Sequence, residues 1–328
     1  MINPAEFMED EEELLREGEI LDDDIIRGDS PLAAVVPWLS GMLGSELVIL
    51  PGSVVGKEQV LAWDKLEDVK LDHENPWFKK YIEFAKNLAK SANSRFPISQ
   101  GAFRGPSDLL ALLRGTTQAI IDLYDEPKKA KELLWKLTNI FIEITEEIWK
   151  EIPLFEGGYF DGMYQLWASG SIVRLQEDAS AIYSPKLYRA FLQPLDRKIA
   201  KHFDNCFIHL HSSSMFLLDA FLEIEEIRCF EVNFENNIGG PAIKDMIPYF
   251  KMVQKAERSL LVRGFFSQSD IKQLMDSLDP RGLYLLIMVK DLKEVNTFRS
   301  LVYGRDKRRS DPKIHRITRI GRNRTSKA

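Results

Sequence analysis

Between Cys206 and Val289 the chain reads CFIHLHSSSMFLLDAFLEIEEIRCFEVNFENNIGGPAIKDMIPYFKMVQKAERSLLVRGFFSQSDIKQLMDSLDPRGLYLLIMV, and the fold is decided there. Four short runs rich in Ile, Leu, Val and Phe stand at Cys206 to His211, Arg228 to Phe234, Leu260 to Phe265 and Leu283 to Val289. Between them lie three stretches of helical spacing, Met215 to Ile224, Ala242 to Glu257 and Asp270 to Leu278. Strands that alternate with helices at this spacing build right-handed βαβ units and therefore a parallel sheet.

Working towards the N-terminus, Ser184 and Pro185 open a helix that carries Leu187, Phe191, Leu192, Leu195 and Ile199 inward and is expected to bend at Pro194. A strand-rich stretch from Gly157 to Asp178 precedes it. Before that, Pro127 to Ile148 repeats Leu133, Leu134, Leu137, Ile140, Phe141, Ile144 and Ile148 on one helical face. Further strands are expected at Leu47 to Leu50 and Phe96 to Phe103, and a helix at Pro76 to Asn93. Seven or eight strands in about 250 residues favour an α/β fold of the (β/α)8 TIM type over an open doubly wound sheet.

In such a barrel the C-terminal strand ends build the site, and side chains alternate between lumen and helices. His209 and His211 lie two apart and share a face, whereas Cys206 takes the other. Phe230, Val232 and Phe234 suit the helix side, which turns Glu231, Asn233 and Glu235 inward. By the same parity Arg174, Gln176 and Asp178 point inward, with Glu177 at the rim, and Arg263 is the one charge in its strand. Two imidazoles at i and i+2, completed by Glu177, Asp178 or Glu231, can hold zinc with an open position. The same pair can instead be one His bonded to a carboxylate and one packed under a loop. Arg174 and Arg263 can bind an anionic substrate or neutralise the inward acids.

Composition sets the outer limits. With 45% hydrophobic and 29% charged residues, the chain has the profile of a globular protein and not of a disordered one. No apolar run approaches the roughly 20 residues of a membrane span. The acidic start lacks the basic and apolar regions of a signal peptide, and Cys206 and Cys229 cannot build a disulfide framework, so the expected location is cytoplasmic. The net charge of -6 is unevenly spread: the first thirty residues carry twelve acids against Arg16 and Arg27, while from Arg299 onward eleven bases face only Asp306 and Asp311. Three regions follow: an acidic extension over 1–32, a barrel domain over 33–297 and a basic tail over 298–328. The tail is a solvated or partner-binding arm, or a C-terminus replaced by a shifted reading frame. With the body of the chain acidic, nucleic acid is not the expected partner.

The stretches F-R-G-P-S-D-L-L-A-L-L-R-G (Phe103 to Gly115), D-L-Y-D-E-P (Asp122 to Pro127), R-L-Q-E-D-A-S (Arg174 to Ser180), S-P-K-L-Y-R-A-F-L-Q-P (Ser184 to Pro194) and H-L-H-S (His209 to Ser212) together resemble the uroporphyrinogen decarboxylase superfamily. That superfamily joins the decarboxylase of haem biosynthesis to the cobalamin-dependent methyltransferases on one barrel, and the resemblance covers roughly Gly44 to Val289. The decarboxylase resembles a cationic cup with an arginine-rich R-Q-A-G-R near its N-terminus and a Gly-His-Gly at the last strand. Here the corresponding stretches are P-W-L-S-G-M-L-G-S-E-L and L-L-I-M-V-K-D, so the clamp for a polycarboxylate is missing. The decarboxylase's substrate-binding aspartate falls on Ser45 and Glu46.

The methyltransferase branch typically carries H-x-C and a distant Cys on zinc. Here His209-Leu210-His211 stands in its place, which leaves a harder N/O donor set. The resemblance thus implies methyl transfer between a small-molecule substrate and a corrinoid. No D-x-H-x-x-G is present, so the corrinoid would arrive on a partner protein; a homodimer is compatible with this. His209, His211 and Asp178 would do the chemistry, with zinc on His209, His211 and Glu177. Glu46, Arg174, Glu231 and Arg263 would bind substrate. The rivals are decarboxylation of uroporphyrinogen or a related carboxylate, and a non-catalytic barrel that binds a tetrapyrrole or a protein partner.

Overall fold

The computed structural model describes residues 3, 4, 16, 18, 21, 25–31, 36–51, 53–303 and 319–320. Most of the acidic extension expected over 1–32 and of the basic tail expected over 298–328 lies outside them. A short helix, Trp38–Met42, leads into an antiparallel hairpin of β1 (Leu47–Leu50) and β2 (Ser53–Gly56). Helix Pro76–Ala92 begins where the Asn75 side chain accepts the Trp77 N–H and ends at Asn93 in the left-handed region. Pro106–Arg114 and Thr116–Asp125 follow, joined at Gly115 with φ +81°. The long helix Pro127–Glu151 buries the expected stripe from Leu133 to Ile148, with Ala130 added to it. Each such aliphatic side chain taken from water is worth about 1.5–3 kcal/mol.

The stretch from Gly158 to Gln176 forms a second hairpin, β3 (Gly158–Asp161) with β4 (Leu166–Ser169), and then β5 (Ile172–Gln176). Pro194 acts as its missing N–H requires. The helix Gln193–His202 is preceded by a π-helical segment, Tyr188–Leu192, which accommodates the proline ring where an α-turn would clash. Then the regular alternation takes over: β6 (Asn205–His211), β7 (Ile227–Phe234), helix Ile243–Lys255, β8 (Ser259–Gly264), helix Gln268–Ser277, β9 (Leu283–Val289) and helix Leu292–Tyr303. Ser267 and Asp270 close a reciprocal capping box at the start of Gln268–Ser277.

β5 to β9 pair in sequence order, all parallel, with β10 (Arg319–Ile320) added on β9. Beyond β5 the order is continued by parallel bridges from Gly170 to Gly158, Phe160 to Ser99 and Ile98 to Asp29. The strand expected over Phe96 to Phe103 is reduced to these bridges at Ile98 and Ser99. Pro97 offers only its carbonyl, taken by Asp29 N–H at 3.0 Å, and Gly101 N–H turns to the Tyr81 hydroxyl at 2.7 Å. Among the described residues β5 to β10 form one parallel sheet, beside the two antiparallel hairpins, in a mixed α/β fold.

The two faces of that sheet separate as the alternation requires. Val173, Leu175, Ile208, Leu210, Phe230, Val232, Leu260, Val262, Leu285 and Ile287 join the main core with the helices. Ile172, Phe207, Leu261 and Leu286 pack with Tyr164 in a second, smaller cluster on the opposite face. Cys206 sits with the first group and Cys229 with the second. Helix Leu292–Tyr303 buries Val295, Phe298 and Val302, so the composition change near Phe298 falls inside a packed helix. No helix among the described residues is long and apolar enough to cross a membrane.

Candidate functional site

The register lays the inward residues out in layers. Gln176, His209, Glu231 and Leu261 are successive partners across β5 to β8, and one step towards the C-terminal edge His211, Asn233 and Arg263 repeat the arrangement. His209 is 5% exposed and Glu231 fully buried. His209 Nδ1 meets Glu231 Oε2 and, at 2.7 Å, the hydroxyl of Tyr164. His211 Nδ1 meets Glu235 Oε1 at 2.6 Å, and Glu235 also accepts the Ser212 hydroxyl at 2.9 Å and the Asn233 amide at 3.3 Å. Burial alone would raise the Glu235 carboxyl, but the hydrogen bonds from His211 and Ser212 outweigh it and hold it below the usual range.

A carboxylate at each Nδ1 keeps the ring proton there and leaves Nε2 with its lone pair. The two Nε2 atoms face one another at 3.1 Å, and Asp178 Oδ1 lies 3.6 Å from His211 Nε2. Two lone pairs at that distance repel unless something positive lies between them, either a proton or a metal ion. A tetrahedral ion with bonds of about 2.0–2.1 Å sets its ligand atoms about 3.3 Å apart. Two of the donor–donor distances, 3.1 Å between the Nε2 atoms and 3.6 Å from His211 Nε2 to Asp178 Oδ1, lie near that spacing, and the three donor atoms of Asp178, His209 and His211 all lie within 4.8 Å of one another.

The sequence-derived residues divide as follows. His209, His211, Asp178 and Glu231 are brought together. Arg263 stands beside them, half-buried, donating to Asn233 Oδ1 at 3.3 Å. Arg174 is 3% exposed and faces Met163 Sδ at 2.9 Å and Asp161 at 4.0 Å; this is the neutralising role. Glu46 is exposed on the first hairpin, paired with Lys57 at 3.1 Å. Glu177 turns away from the histidines: its Oε2 accepts the Ser107 N–H at 2.9 Å. Of the two neighbouring acids beyond β5, Asp178 is the one beside the histidines, while Glu177 lies against Ser107.

Tyr164 is not among the residues that strand alternation singles out. It lies in the turn between β3 and β4, where strand parity gives no direction. Asp161 Oδ1 accepts the N–H groups of Met163 and Tyr164 at 3.1 and 2.9 Å and so fixes that turn. The ring stacks on His209, centroids 5.5 Å apart, and the guanidinium groups of Arg174 and Arg263 lie 5.5 and 5.9 Å from its centroid. Burial, with the charge of Glu231, pushes its phenol well above the ordinary value, so it keeps its proton.

Glu177 belongs to a buried acid cluster with Asp108 and Asp196. Burial pushes Glu177 well up, and Asp108 and Asp196 each up to about 7. Tyr188 donates to Asp196 Oδ2 at 2.5 Å. Between its unfolded value near 3.8 and about 7, Asp196 holds a proton in the folded chain that the unfolded chain has released. Its contribution is therefore fully present below the lower value and lost as pH rises through the upper one. The melting temperature is expected to fall as pH goes from 5 to 8, and Asp196→Asn to flatten that slope; equal slopes in both proteins would refute the assignment.

The fold is similar to that of a methyltransferase from Methanosarcina mazei, with a TM-score of 0.55 at 16% identity over 82% of this chain and 77% of that chain. No family model and no curated protein matches the sequence.

Proposed function

We propose that the chain is a metal-dependent methyltransferase on a (β/α)8-type barrel, moving a methyl group between a small substrate and a corrinoid carried by a partner protein. The observation that carries it is the pair of imidazole Nε2 atoms 3.1 Å apart, each with its Nδ1 on a carboxylate and with Asp178 beside them. The fold likeness to a methyltransferase supports the reaction class. The bridges at Gly170, Phe160 and Ile98 support the barrel, since they continue the parallel order beyond β5.

His209, His211 and Asp178 would hold zinc through two nitrogens and one oxygen and leave a position open. What a divalent ion supplies in such a shell is Lewis acidity towards a methoxyl or amine group. Glu231 and Glu235 would keep the Nδ1 protons in place, which fixes both rings with Nε2 turned to the ion. Arg263, steadied by its hydrogen bond to Asn233, orients an anionic group of the substrate. Decarboxylation of a polycarboxylate is less well supported, because of the two inward arginines Arg174 is occupied by Asp161 and Met163 and only Arg263 is left to meet an acid.

Elemental analysis of the purified chain, together with methyl transfer to added cob(I)alamin before and after chelation, tests this. About one zinc per chain and a loss of transfer that zinc restores are expected. Metal-free protein with undiminished transfer would discard the proposal.

A further inference from the structure

The two motifs Gly105-Pro106-Ser107-Asp108 and Gln176-Glu177-Asp178-Ala179 lie 70 residues apart and exchange hydrogen bonds in both directions. Gly105 N–H donates to the Gln176 carbonyl at 2.6 Å. Ser107 N–H, in the first turn of helix Pro106–Arg114, donates to Glu177 Oε2 at 2.9 Å. In return Asp108 Oδ2 accepts the N–H of Asp178 at 2.9 Å and its Oδ1 that of Ala179 at 3.2 Å. Each acid thus caps the other segment's free backbone donors. The fit leaves no room: a Cβ on Gly105 would stand 1.7 Å from Glu177 Oε1.

The clasp determines where Asp178 points. With its backbone held by Asp108, the Asp178 side chain accepts the Gln176 amide on Oδ2 at 2.7 Å and presents Oδ1 to His211. We infer that Asp108 is a positioning residue: it acts on the histidine pair only through Asp178, and the helix that carries it in its first turn is the support that aims this carboxylate. The inference rests on Asp178 serving the metal site proposed above.

The test uses the full chain, zinc titrated against a chromophoric chelator, and amide hydrogen exchange at residues 178 and 179 of metal-free protein. Asp108→Asn, which keeps the shape but not both acceptors, is expected to weaken zinc about 10-fold or more, the range for an outer-shell partner. In an Asp178→Asn background the same change should cost nothing further, because partners in one chain of contacts are not additive. Wild-type zinc affinity in Asp108→Asn, or losses that multiply in the double variant, overturns the inference, since a merely structural role would be additive. If the wild type takes up no zinc, the metal proposal falls and the amides decide the clasp: faster exchange at 178 and 179 in Asp108→Asn supports it, and unchanged exchange refutes it. Should Asp108→Asn not fold, Gly105→Ala displaces Glu177 from the same clasp and is expected to weaken zinc likewise; unchanged affinity there counts against the clasp.

Discussion

Alanine at His209 or at His211 is expected to cost zinc binding at least about 100-fold, the upper end for losing a mere supporting partner, and to abolish transfer. The two changes should differ in a second measurement. His209 lies against the fully buried Glu231, whose other oxygen has no partner. Removing the imidazole strands that carboxylate, and a stranded buried polar group costs about 1–3 kcal/mol, more when charged. His211 sits at the half-open edge, and its carboxylate partner, Glu235, keeps Ser212 and Asn233. Both variants should therefore lose metal, and only His209→Ala should also unfold at markedly lower denaturant. Full metal content and turnover in both would remove the histidines from the mechanism.

The largest purely structural loss is expected at Asp122. Arg114 and Asp122 are 7% and 1% exposed, and they meet through two hydrogen bonds, Nε to Oδ2 at 2.5 Å and a terminal nitrogen to Oδ1 at 3.1 Å. Gln118 adds a third bond to the carboxylate at 2.8 Å. The guanidinium also donates to the Leu61 carbonyl and lies 4.4 Å over the Trp63 ring, tying the 61–65 segment to the helix pair. Asp122→Ala leaves this cation buried without its counter-charge. Breaking a buried pair on one side costs about 3–5 kcal/mol, a large share of the roughly 5–15 kcal/mol that holds a domain together. Urea unfolding monitored by far-ultraviolet dichroism reads the difference; a loss below about 1 kcal/mol, the scale of an exposed pair, would show that the pair is solvated.

Whatever strand parity governs is legible in the sequence. Alternation places His209, His211, Glu231 and Asn233 on one face and Phe230, Val232 and Phe234 on the other. It also turns Asp178 inward and leaves Glu177 at the rim, and Asp178 is the acid found beside the histidines. Turns follow no such period, which is why Tyr164 emerges only once Asp161 is seen to hold its turn. Glu46 rests on the family resemblance alone, and it lies exposed at the start of the first hairpin, paired with Lys57. Arg174 does point inward, yet a side chain that long is directed by its counter-charge, and Asp161 stands in a different strand, β3. The strand at Phe96 to Phe103 is short because Pro97 has no N–H to donate and Gly101 N–H goes to the Tyr81 hydroxyl, while the Asp29 bonds to Pro97 and Ser99 make the bridge that remains.

Cys206 and Cys229, on adjacent strands but opposite faces of the sheet, give the molecule a reporter of its own. Burial raises the Cys206 thiol well above its ordinary value and the Cys229 thiol up to about 12, so neither is a ready nucleophile while the sheet is intact. Because the sheet itself separates them, air oxidation has no intramolecular bridge to make without first opening β6 from its neighbours. The rate at which an alkylating reagent marks Cys206, held under the helices, is then a clock for the opening of the layer that carries both histidines, readable without any substrate in hand.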